Sequence, residues 1–128
     1  MMNIKDASEI GLLDMHDQAR LVHVGALSAS ELVEAAIVRA ETLDPRLNAL
    51  SVKAWEQARS AAPAAQGEMR GVPWLVKEGL DYAGMPTRCG SRAFSEAPSA
   101  TSASPYTRCF DSAGMVAIGK SSAPEFGL

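Results

Sequence analysis

Lys77 and Lys120 stand where a β-strand would deliver an amine to the end of a sheet. Lys77 closes the apolar run Gly71-Val72-Pro73-Trp74-Leu75-Val76, and Lys120 follows Met115-Val116-Ala117-Ile118-Gly119. Burial at such a point disfavours the charged ammonium. A lysine that is neutral near pH 7 can then serve as a general base, or as an amine nucleophile toward a carbonyl. The bland alternative is a lysine whose stem lies on apolar surface while its head reaches water. Local pattern does not rank the two lysines. Beyond Lys77, the stretch through Gly90 carries glycines and Pro86, the composition of a loop that opens a site at the carboxyl end of a strand.

The other chemistry-bearing residues have weaker patterns. His16 and His23 lie seven apart and share a helix face, but no cysteine or carboxylate joins them at a metal-motif spacing. Glu78 and Asp81 flank the Lys77 loop, where charge balance or turn capping is the ordinary role. Cys89 and Cys109 are the only cysteines; no partner stands at structural-zinc spacing, so they read as free thiols and no metal or cofactor is implied. Ser121 and Ser122 have no flanking glycines to expose a nucleophile, and read as turn and cap residues. The chain contains no nucleophile elbow, Walker loop, H-E-x-x-H or G-x-G-x-x-G pattern.

The elements that would position these groups begin with helices. Leu12, Met15, Ala19 and Val22 recur at helical spacing ahead of Gly25, which predicts a helix over roughly 12–24. Ser28 and Glu31 form a capping box with Leu27 and Leu32 as its staple, so a second helix starts near Ala29. Its core face reads Leu32, Val33, Ala36, Ile37, Ala40 and Leu43, and Asp44-Pro45 ends it. Residues 47–52 form a short extended segment. Trp55, Ala58 and Ala62 mark a third helix, stopped by Pro63 and Gly67.

Residues 72–76 and 115–118 are apolar throughout, as strands covered on both faces are. Residues 95–104 read as loop, after which Ser104 and Pro105 open a helix to Ser112. Strand, loop, helix and strand make a right-handed crossover unit, so the fold class is α/β. N-terminal helices occupy 1–67, and the strand-loop-helix-strand part carrying the lysines occupies 68–128.

With 47% hydrophobic and 21% charged residues in 128, the composition is that of one soluble globular domain. The net charge of -3 is scattered without blocks, which argues against nucleic acid or an anionic membrane as partner. The N-terminus lacks the apolar core of a signal peptide, and no run approaches the ~20 apolar residues of a membrane span. A cytoplasmic protein is expected.

The stretch GVPWLVKEGLDYAGMPTRCGSRAF (71–94), followed by AGMVAIGKSSAPEFGL (113–128), resembles the N-terminal portion of the amidase signature family. The segment GALSASELVEAAIVRAETLDPRLNAL (25–50) is similar to that family's opening helices. The resemblance implies a partial amidase signature fold: a single large domain around a mixed sheet, of which these residues are the N-terminal fragment. It also implies a hydrolase of carboxylic amide C–N bonds acting through a Ser-cisSer-Lys triad. Lys77 falls on the lysine of the family's G-V-P-x-x-x-K segment, and Lys120 on a non-catalytic position. Glu78 stands where aspartate is usual, and Ser121-Ser122-Ala123 where Thr-Asn-Thr is usual before Pro-Glu, as in a divergent member. The family's glycine- and serine-rich signature lies downstream of these motifs, so this chain taken alone is expected to be inactive.

Two functions from different classes follow from that resemblance. One is amide hydrolysis of a small-molecule substrate, or ammonia release as in glutamine-amidotransferase subunits, once the serine-bearing region completes the site. The other is a non-catalytic amidase-like binding or assembly module, partnered through an open sheet edge by a second copy or a complementing chain. Schiff-base chemistry at Lys77 is a third and weaker reading. Trp74, Tyr82 and Met85 do not choose a substrate, and Trp74 and Met85 read as packing residues.

Overall fold

Ser28 caps the longest helix as its sequence dictates. Its side chain accepts from Glu31 N while the Glu31 side chain returns to the Ser28 N–H, a complete capping box. In the computed structural model, which describes residues 2–128, this helix is α3 (Ala29–Leu47). It follows α1 (Ile4–Gly11) and α2 (Met15–His23), and precedes β1 (Leu50–Lys53), α4 (Trp55–Ala61), β2 (Pro73–Lys77), α5 (Pro105–Ser112) and β3 (Val116–Ser121). Short 3-10 turns cover Ala62–Ala64, Arg92–Phe94 and Glu125–Gly127.

The three strands form one mixed sheet in the order β1-β3-β2, with β1 antiparallel and β2 parallel to β3. The α/β reading is therefore correct; of the extended segment expected at 47–52, residues 50–52 belong to the edge strand β1, while Leu47 ends α3 and Asn48 caps it. On one face, α3 and α4 bring Val33, Ile37 and Ala58 onto Val116 and Ile118. On the other, Val76 and Ala117 meet Met85 of the loop that follows β2, and Trp74 stacks on Phe110 of α5 at 4.4 Å. Central β3 is buried along almost its whole length because both faces are covered.

Three local expectations need correction, and one helix stands where none is expected. The helix expected over 12–24 is α2, which begins at Met15 behind an Asp14 cap, and Leu12, at 87% exposure, lies outside it. Helix α1 has no counterpart among the expected elements, although Ile4, Ala7 and Ile10 recur at a spacing of three and Asn3 caps it; it buries Ala7 and packs Ile10 on the core. Leu43 belongs to no core face and is 43% exposed. Finally, Asp44-Pro45 does not end α3, which runs on to Leu47 and stops at Asn48 in the left-handed conformation.

Asp44 explains that continuation. Its buried carboxylate accepts from the N–H groups of Ala49 and Leu50 and pairs with Lys53 at 2.9 Å, so the side chain fastens the end of α3 to β1. The Lys53 hydrogen bond first, then the two backbone N–H groups, hold the Asp44 carboxyl below the usual carboxylate range against the opposing desolvation. A depressed folded-state pKa means the unfolded chain binds the proton more readily. Its stabilisation is then complete above the ordinary aspartate pKa and is lost as pH falls through the lower, folded value. Thermal melts from pH 6 to pH 2 should therefore show an acid-side decline that Asp44→Asn flattens; an unchanged profile would show that Asp44 does not drive it.

Candidate active site

Because β2 and β3 run parallel, their carboxyl ends lie at the same end of the sheet, with Val76 paired to Lys120 and Lys77 to Ser121. A register shift in β3 puts Lys120 on the face of Val76 and Ala117, toward the 78–91 loop. Gly119 sits in that irregularity because a Cβ there would lie 2.2 Å from Val52 O of the neighbouring strand. Strand alternation sends Lys77 to the opposite face.

The two lysines thus have opposite fates. Lys120 is fully buried, whereas Lys77 is exposed, and among the described residues the Lys77 side chain makes no hydrogen bond or ion pair. Burial, which the sequence left open between them, falls on Lys120. Its Nζ donates to Thr87 Oγ1 at 2.7 Å and reaches Glu78 O at 3.5 Å, while Thr87 Oγ1 donates to Asp81 Oδ1 at 2.7 Å. Desolvation is the largest influence on Lys120 and lowers its pKa. Glu78, Asp81 and Cys89 oppose that fall, and Arg88 adds to it.

Glu78 is buried beside this group and has a definite task. Its carboxylate accepts from Arg88 N at 2.6 Å and from Ser51 Oγ of β1. A residue immediately after Lys77 thereby ties β1 to the far limb of the loop. The charge-balance role expected of Glu78 becomes an anchoring one.

The loop's far limb is held in turn by the segment after β3. Gly90 adopts φ +66, and a Cβ on it would lie 2.4 Å from Ala123 O, so only glycine permits this approach. Phe126 N donates to Cys89 O at 2.8 Å, Ser91 Oγ donates to Glu125 Oε1, and the Phe94 and Phe126 rings meet edge-on at 5.9 Å. Lys77 therefore projects from a strand end whose other face is pinned at several points.

The remaining candidates sort quickly. Ser121 is the last residue of β3, rather than a turn residue, and its Oγ donates weakly to Val76 O at 3.5 Å. Ser122 bonds to the Asn48 and Ala49 carbonyls, and His23 Nε2 lies 2.9 Å from Glu68 O, so both are structural. Cys89 and Cys109 are free thiols. Tyr82 donates to Asp111 at 2.7 Å, and Met85 is fully buried, as packing residues are. Ser51 and Thr87 were missed because their partners lie 27 and 33 positions away in the chain, and no local pattern announces such contacts.

The chain belongs to the amidase family, whose model matches residues 31–128. It is 38% identical over 122 residues to the putative amidase AmiC of Mycobacterium tuberculosis, covering 93% of this chain and 26% of that protein. It is equally 38% identical over 121 residues to an indoleacetamide hydrolase of Bradyrhizobium diazoefficiens, covering 88% of this chain and 23% of the relative. Among solved structures, 6-aminohexanoate cyclic dimer hydrolase superposes with a TM-score of 0.84 at 30% identity, over 89% of this chain and 24% of that one. The chain thus spans about a quarter of the length of the relatives it matches.

Proposed function

We propose that residues 1–128 are the N-terminal part of a single amidase domain and supply the lysine of an amide hydrolase, with Lys77 as the proton acceptor. The observation that carries this reading is the free Lys77 amine on the G-V-P-x-x-x-K pattern, at the carboxyl end of β2. In this mechanism a serine hydroxyl on further polypeptide attacks the carboxamide carbon, and its proton passes through a second serine to Lys77 Nζ. Backbone N–H donors bear the developing oxyanion. Collapse of the tetrahedral species breaks the C–N bond, and the leaving amine takes the proton back. Water then hydrolyses the acyl-enzyme by the same route.

The substrate class is a small carboxylic amide. The indoleacetamide and cyclic-dimer hydrolases among the relatives support that class, and a cytoplasmic site of action is part of the same reading. No helix among the described residues is long and apolar enough to cross a membrane. A second reading, a non-catalytic assembly module, draws on the unpaired outer edges of β1 and β2.

Reading the coding DNA past codon 128 and assaying the extended protein separates the two. A glycine- and serine-rich segment in frame, with amine or ammonia release from simple carboxamides that the 128-residue chain does not catalyse, is the expected result. A stop codon at that point, or full activity in residues 1–128 alone, would overturn the hydrolase proposal as stated.

A further inference from the structure

The peptide that follows Lys77 is gripped from several directions. Glu78 is 1% exposed, and its two carboxylate oxygens serve different elements: Oε1 accepts from Arg88 N at 2.6 Å, and Oε2 accepts from Ser51 Oγ. Lys120 Nζ reaches Glu78 O at 3.5 Å from β3, and Lys77 O accepts from Leu80 N at 3.0 Å. Ser51 belongs to β1, which lies on the far side of β3 from β2. One side chain thus ties the end of β2 both to the opposite edge of the sheet and to the returning limb of the loop. Without the carboxylate, Ser51 Oγ has only the weaker choices of Lys120 O at 3.4 Å and Ser121 O at 3.5 Å.

We propose that Glu78 and Ser51 are a positioning pair for Lys77: their bond across β3 fixes the 77–78 peptide, and with it the direction in which the lysine stem leaves the sheet. Two observations favour this mechanical role over contact with substrate. Glu78 is enclosed on the loop side, whereas the Lys77 side chain leaves from the opposite face of the strand and is itself exposed and unbonded among the described residues. The reach also matters, because an aspartate would stop short by about 1.5 Å, one carbon–carbon bond, and could not serve Arg88 N and Ser51 together. A misplacement of about 1 Å in a reacting group can cost on the order of 100-fold in rate.

The inference rests on reading Lys77 as the base, and two measurements keep its fate separate from that reading. The first needs no turnover. In the 128-residue chain, Ser51→Ala and Glu78→Asp should each make the Leu80 and Arg88 amides exchange hydrogen about tenfold faster, roughly the weight of one hydrogen bond to a charged group. The second is kinetic, in the amidase extended past residue 128. Ser51→Ala should lower kcat by about 10-fold and Glu78→Asp by about 10- to 100-fold, with KM and the shape of the pH profile unchanged. The double variant should be no slower than Glu78→Asp alone, since both changes remove the same bond. Glu78→Gln keeps the reach, accepting from Arg88 N and donating to Ser51 Oγ, and should lose less than Glu78→Asp. Burst titration of the acyl-enzyme counts working sites, so a mere loss of folded protein would lower that count and leave the kcat of each site alone. Should Glu78→Asp fail to fold by circular dichroism, Ser51→Ala, at a half-buried position, decides the matter. Unchanged exchange in the variants, or faster exchange with wild-type kcat, would overturn the proposal. So would a greater loss in Glu78→Gln than in Glu78→Asp, which would make the charge, not the reach, what matters. Turnover that survives Lys77→Ala would overturn the catalytic reading and this inference with it; an inactive Lys77→Ala beside a fully active Ser51→Ala would overturn the inference alone.

Discussion

Lys77→Ala, placed in the amidase extended past residue 128, should lower kcat by about 10³- to 10⁴-fold, the range expected for loss of a positioned general base whose partners act as a unit. Its effect on the folding of the 128-residue chain should be small. The side chain is exposed and unpaired among the described residues, and substitutions of that kind usually change stability by no more than about 0.5 kcal/mol. Loss of turnover without loss of stability separates a chemical role from a structural one. Lys77→Arg sharpens the test, because a guanidinium keeps positive charge at the same place but does not give up its proton to become a base. Arginine should therefore fail as completely as alanine. Near-normal turnover in either variant would remove Lys77 from the mechanism.

Lys120 is expected to behave in the opposite way, through folding. Lys120→Ala empties a fully enclosed space and withdraws the donor to Thr87 Oγ1, so urea unfolding should report a loss of about 3 to 4 kcal/mol, as for other long buried side chains cut to alanine. Lys120→Met keeps most of the volume without the charge. Since desolvation outweighs the attraction of Glu78 and Asp81 at this position, methionine should stay within about 1 kcal/mol of wild type at pH 7. Equal, large losses in both variants would mean that the ammonium, rather than the shape, is what the site requires.

The pH dependence provides an independent check with a definite sign. A lowered folded-state pKa means that the unfolded chain holds more protons between that value and the ordinary lysine pKa of about 10.4. Wild-type stability should therefore rise with pH through this window and level off above it. Lys120→Met should abolish the rise. A wild-type profile that falls across the same range would contradict the assigned direction.

Much of this architecture could be read locally because the controlling interactions are local. The Ser28–Glu31 box and the Ser104–Pro105 start specify their helices through bonds spanning three residues. The runs ending at Val76 and Ile118 are strands because nothing polar interrupts them. Where reading failed, a distant partner had intervened. Asp44 carries α3 through Pro45 by capturing backbone N–H groups of the next strand. Leu43 keeps helical spacing yet stands 43% exposed at the groove between α3 and the sheet, because no element among the described residues packs over it.

The lysines mark the boundary most clearly. Sequence by itself determined that two strand ends each bear an amine, and the G-V-P-x-x-x-K pattern named Lys77 as the one with family precedent. Only tertiary structure decided their environments. The irregularity at Gly119, where the close approach of Val52 O admits only glycine, turns Lys120 beneath the returning 78–91 loop, while alternation along β2 puts Lys77 on the opposite face. A side chain's facing follows strand period, which sequence encodes. Its solvation follows from what the rest of the fold lays over it, and no local pattern contains that.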